Sequence, residues 1–227
     1  MYAAIILIVL VVLIIGPQYW VSAVLNRYNR KPEQNFTGTG GELARHLLDR
    51  FELQSVKVDI TSEGDHYDPI AKSVRLGEDR FYGQTLTAIT IAAHEVGHAI
   101  QDARNENLFQ WRSRLATLAV GAQKVGSLLL FLVPLLSIIS RAPVVGLITL
   151  LAAFLVMGIA LLVQLITLPV EIDASFHKAL PMLESGYLLP EQYGPARKIL
   201  RAAAFTYVAA SLAGLLNFWR WIRVMKR

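Results

Sequence analysis

The chain has 227 residues, more than half of them hydrophobic, and a net charge of +5. Its apolar residues gather into long runs that a water-soluble core does not need, and its Lys and Arg residues lie mostly beside those runs, where orientation in a bilayer explains them without nucleic acid. The absence of cysteine excludes disulfides and thiolate zinc sites, so any metal must be held by His, Asp or Glu.

The first apolar run, from Tyr2 to about Trp20, ends in Tyr19-Trp20, an aromatic pair of the kind found at a lipid–water boundary. No Lys or Arg precedes it, whereas Arg27, Arg30 and Lys31 follow. Residues 1–26 therefore read as an uncleaved transmembrane anchor rather than a signal peptide, with the downstream chain in the cytoplasm.

Residues 27–114 have the composition of a water-facing part. Thr39-Gly40-Gly41-Glu42 has the form of a capping box, and Leu43, Leu47 and Phe51 follow at helical spacing, which predicts a short amphipathic helix. Val56, Val58 and Ile60 alternate with polar residues, as do Val74 and Leu76, giving two strands able to form a hairpin. The stretch Asp65-His66-Tyr67-Asp68-Pro69 between them reads first as a turn. Its functional reading makes Lys72 to Leu76 an edge strand for an extended substrate, with His66 or Tyr67 stabilising a developing oxyanion or His66 acting as a fourth ligand.

Thr85 to Gln101 reads as a helix containing His94-Glu95-Val96-Gly97-His98, a match to H-E-x-x-H. Residues four apart share a helix face, so His94 and His98 can reach one metal ion while Glu95 points beside it toward a water. Zinc lowers the pKa of such a water to about 7, and the neighbouring carboxylate can take its proton as general base. Leu86, Ile89, Ala93, Val96 and Ile100 supply a buried stripe, and Gly97 permits close approach of a neighbour. The polar flanks of the motif, among them Arg80, Gln84, Asp102 and Arg104, place it in water near a membrane surface rather than inside a span.

Apolar runs return in residues 115–168, broken by Ser140-Arg141-Ala142-Pro143, and read as a transmembrane hairpin. Residues 169–201 follow and must contain a third metal ligand, since a catalytic zinc usually has three protein ligands and one open position. Two crossings return the chain to the side of His98, which puts Glu171 forward, with Asp173 as rival and Glu184 a weaker one. His46, on the polar side of the first amphipathic helix, reads as solvated, and His177 as structural. Residues 202–227 read as a transmembrane or interfacial helix with a basic tail that includes Lys226 and Arg227.

His94-Glu95-Val96-Gly97-His98-Ala99-Ile100-Gln101, the upstream Asp65-His66-Tyr67-Asp68-Pro69 and the downstream Leu168-Pro169-Val170-Glu171-Ile172-Asp173-Ala174-Ser175 together resemble the YugP-type bacterial membrane zinc metallopeptidases over essentially the whole chain. The resemblance implies a neutral zinc peptidase with one Zn2+ ion and raises Glu171 over Asp173 as third ligand. Many Glu-liganded zinc peptidases carry an Asp four residues after that Glu to orient a metal-bound His; this chain has Ser175 there, leaving Asp173, Ser175 and backbone carbonyls open for that role. The expected architecture is a mostly α membrane protein, with an α+β zincin-like catalytic domain fused to about four transmembrane helices. The expected function is a multi-pass zinc metalloendopeptidase with its site near the cytoplasmic face of the cell membrane, acting on polypeptide substrates and contacting the lipid bilayer. The alternative is a membrane scaffold whose zinc, closed off by protein ligands, is only structural.

Overall fold

The computed structural model describes residues 2–30, 32 and 35–225. Lys31, Lys226 and Arg227, which the charge reading uses, lie outside the described residues. The chain divides into two compact units, one made of residues 1–109 and 168–227 and the other of residues 110–167.

In chain order the elements are α1 (Tyr2–Arg27), α2 (Gly40–Arg50), β1 (Lys57–Ile60), β2 (His66–Asp68), β3 (Ser73–Leu76), α3 (Glu78–Phe81), α4 (Leu86–Ala103), α5 (Asn107–Ser140), α6 (Pro143–Ile172), a π-helix (Asp173–Ala179), α7 (Leu180–Glu184) and α8 (Pro190–Met225). Helix α2 starts where the capping box predicts. The Thr39 hydroxyl accepts from the Glu42 N–H at 3.3 Å, and the Glu42 carboxylate accepts from the Thr39 N–H at 2.8 Å. Its buried face, Leu43, Ala44, Leu47 and Leu48, joins the core of the first unit.

The three strands form one sheet in the order β1-β3-β2. Strands β1 and β3 are parallel, with Val58 opposite Val74, so the expected hairpin between them is not formed. The segment read as a turn is the reason: its residues His66–Asp68 make β2, which runs antiparallel to β3 on its other side and puts Tyr67 opposite Val74. The turn chemistry is real but lies one step later, where the Asp68 carboxylate accepts from the N–H groups of Ile70 and Ala71, both at 2.9 Å. Because β3 is flanked on both sides, the segment Lys72–Leu76 has no free edge to offer an extended substrate; the open edges belong to β1 and β2.

Helix α4 runs through the centre of the first unit. The Thr85 hydroxyl caps it by accepting from the Ala88 N–H at 3.1 Å. The stripe Leu86, Ile89, Ala93, Val96 and Ile100 is buried as the spacing predicts, and so is every other residue from Leu86 to Asp102. A helix buried all round has no solvent face, so both its apolar stripe and its ligand face are enclosed by α2, α3, β2, β3, the π-helix, α7 and α8. Helix α1 packs on α8 through Val21, Val24 and Leu25 against Ala202 and Ala209, and the Thr87 hydroxyl donates to the Leu25 carbonyl at 2.9 Å, tying α4 to α1.

The second unit consists of most of α5 and α6, joined at Arg141, whose φ of 49° turns the chain in the left-handed region. At the start of α6, the Ser137 hydroxyl occupies the space that a side chain at Gly146 would take.

The expectation of about four transmembrane helices is corrected by the structure: among the described residues, no helix is long and apolar enough to cross a membrane. A span needs about 20 consecutive apolar residues. Arg112, Arg114 and Lys124 interrupt α5, and Glu191, Arg197, Lys198 and Arg201 occupy the first turns of α8.

Candidate metal centre

His94 and His98 stand one turn apart on α4, their rings edge to face with centroids 4.8 Å apart. Glu171 comes from the last turn of α6 and is wholly buried. Its Oε2 lies 3.3 Å from His94 Nε2 and 3.2 Å from His98 Nε2. The close approach depends on Gly97. A Cβ there would sit 2.9 Å from the Ala174 carbonyl oxygen, so only the bare glycine lets α4 meet the segment that follows Glu171.

That segment is a π-helix, whose wider turn brings residues five apart onto one side. Asp173 and Lys178 are paired in this way, and Lys178 also reaches Glu106 at 3.0 Å. Ala174 and Ser175 are buried against α4. Single π turns of this kind are frequent at functional sites.

The far ring nitrogens have partners too. His94 Nδ1 lies 3.1 Å from the Ser175 hydroxyl oxygen, whose own hydrogen is donated to the Leu200 carbonyl at 3.2 Å. His98 Nδ1 lies 2.8 Å from Gln101 Oε1. Both imidazoles therefore carry their proton on Nδ1 and turn an Nε2 lone pair toward Glu171.

Three acceptor atoms thus converge among buried side chains, an arrangement stable only with positive charge at its centre. The spacing suits a metal ion. Donors at the corners of a tetrahedron with bonds of about 2.0–2.1 Å are separated by about 3.3 Å, the separation seen between the carboxylate oxygen and each imidazole. Among the described residues, His94, His98 and Glu171 are the group of ligand atoms that lies within 4.8 Å of one another, enough for one ion.

The other residues weighed in the sequence fall elsewhere. Asp173 is held by Lys178, by the Gln101 amide at 2.7 Å and by His177 at 3.3 Å, and Glu184 pairs with Arg197 at 3.1 Å. His46 is exposed and meets Tyr187 edge to face, while His66 Nδ1 donates to the Gly64 carbonyl at 2.8 Å. The buried Tyr67 hydroxyl donates to Asp102 at 2.7 Å, and burial together with that bond pushes the phenol up, so it is already committed. Glu95 is buried beside His94. The residue missed is Gln101. Its signal was available, since it follows His98 by three and His94 by seven, on the same helix face.

Two imidazoles one turn apart on a helix, joined by a carboxylate from a later helix, make the donor set of a Glu-liganded zinc peptidase. Comparison with known proteins points the same way. A family model described as "Putative neutral zinc metallopeptidase" matches residues 3–226, and the chain belongs to that family. It is 33% identical over 223 residues, 96% of this chain and 95% of the relative, to the "Putative membrane protease YugP" of Bacillus subtilis (strain 168). No solved structure matches the chain.

Proposed function

We propose that this chain is a zinc-dependent endopeptidase in which His94, His98 and Glu171 hold one zinc ion and Glu95 is the general base. The convergence of three buried acceptor atoms, with the carboxylate oxygen at the spacing of a tetrahedral edge from each imidazole, carries the reading. Bound zinc supplies a Lewis acid that polarises a peptide carbonyl and makes a water acidic near neutral pH. A set of three protein donors leaves one position for water or substrate, which favours a working centre over a structural one closed by four. The Glu95 carboxylate takes the proton of the attacking water and returns it to the departing amine. Gln101 and Ser175 keep the Nδ1 protons of His98 and His94 in place, so both Nε2 atoms remain free as donors to the metal. The relative's name supports polypeptide substrates met at a membrane.

Replacing Glu95 with Gln tests the assignment. The variant is expected to retain one zinc per chain by metal analysis and to lose at least about 100-fold in cleavage of an unfolded fluorogenic protein substrate. Cleavage at the parental rate would remove Glu95 from the mechanism.

A further inference from the structure

Gln101 is 1% exposed, yet every polar atom of its side chain is engaged. Its Nε2 lies 3.0 Å from the Val170 carbonyl and 2.7 Å from Asp173 Oδ2, while its Oε1 lies 2.8 Å from His98 Nδ1. A carbonyl and a carboxylate can only accept, so the NH2 end of the amide must face Val170 and Asp173 and the oxygen must face His98. The oxygen in turn needs a donor, which fixes the proton of His98 on Nδ1. One side chain on α4 therefore grips the ring of one candidate ligand and both sides of another, since Val170 and Asp173 bracket Glu171.

We infer that Gln101 is a positioning residue that sets the two halves of the metal centre in register: its oxygen orients His98, and its nitrogen holds the chain on either side of Glu171. This assignment rests on the zinc reading above. Lys178, bound to both Asp173 and Glu106, braces the Asp173 end of the link from the outside. A residue needed only to fill space at this buried position would be apolar, because an amide here must find all its partners to avoid a desolvation penalty. The partners it finds belong to the two segments that carry the ligands.

Two variants of the full chain separate positioning from packing. Q101M keeps the volume and loses every hydrogen bond. Q101E keeps an acceptor for the His98 Nδ1 proton, but it has no donor for the Val170 carbonyl and sets a second carboxylate against Asp173. Zinc affinity is measured by competition with a chelator, alongside Tm with and without zinc. Q101M is expected to bind zinc about 10–100-fold more weakly, with a smaller zinc-induced rise in Tm. Q101E is expected to bind more weakly than the parent as well, and at saturating zinc the loss in both should fall on kcat with KM within about twofold. A packing role alone would lower both Tm values together and leave zinc affinity unchanged. Parental affinity in Q101M overturns the assignment, and parental affinity in Q101E overturns the link to the Glu171 segment. Should either variant fold only with metal, the free-zinc midpoint of folding gives the same comparison. An unmodified chain that takes up no zinc would instead refute the metal reading itself.

Discussion

The hydroxyl of Ser175 stands between the His94 ring and the Leu200 carbonyl, accepting from one and donating to the other. S175A removes the acceptor for the Nδ1 proton and is expected to weaken zinc binding by about tenfold in a chelator competition, with E95Q as the control that leaves affinity intact. Tyr67 shows a different use of a hydroxyl. It donates to Asp102, whose carboxylate also pairs with Lys72 at 2.6 Å. Y67F leaves a buried carboxylate with one donor fewer, for an expected loss of about 1–3 kcal/mol in urea denaturation. Asp68 carries a pH dependence: the Ala71 N–H first, then the Ile70 N–H and Arg75, hold its carboxyl below the ordinary value. A lowered carboxyl contributes stability above the unfolded value of about 3.9 and loses it as pH falls through the folded one. The Tm difference between the parent and D68A should therefore be present at pH 7 and shrink below about pH 4. At this scale the pair His94 and His98 was legible because one helix repeat carries both, and Glu171 was not legible from spacing alone. Its partners come from α4, 73 residues earlier, and only the resemblance and a counting condition pointed to it. Gln101 was passed over despite its helical spacing to His98, and Ser175 stayed one of several open candidates for orienting a ligand, because Val170 and Leu200, which fix their roles, lie 69 and 25 residues away in sequence.

Helix α4 was legible as an element because its cap at Thr85 and its apolar repeat are local features. Its burial on every side was not, since that depends on what packs around it. The capping box gave α2 for the same local reason. The sheet was misread where long-range pairing decides: alternation identifies Lys57–Ile60 and Ser73–Leu76 as strands, but says nothing about whether a third short strand lies on the far side. The π-helix has no sequence signal of its own here, and only the Asp173 to Lys178 pairing reveals it afterwards. The contact between α4 and that segment can be tested directly. G97A places a methyl group against the Ala174 carbonyl, and it is expected to destabilise the chain by about 1–3 kcal/mol and weaken zinc binding through displacement of Glu171. Thermal unfolding read together with chelator competition checks both effects, and a G97A chain with parental Tm would show that the segments can separate freely.

Taken as a whole, the molecule depends on a centre assembled from distant parts of the chain. If zinc binds only the folded state, free zinc at 100 times its Kd adds about 2.7 kcal/mol, so stripping the metal with a chelator should lower Tm by several degrees, reversibly on re-addition. Composition misled at this scale: long apolar runs suggested four spans, whereas the described helices provide none long and apolar enough. The separation of the ligands also has a consequence for the growing chain. His98 leaves the ribosome 73 residues before Glu171, and the Leu200 carbonyl that seats Ser175 comes 25 residues after Ser175. At about 5–20 residues per second, roughly 4–15 s pass between the first ligands and the third. On the zinc reading proposed above, the nascent polypeptide therefore carries the paired imidazoles before the donor that completes the metal centre, so no complete centre exists to attack the unfinished chain.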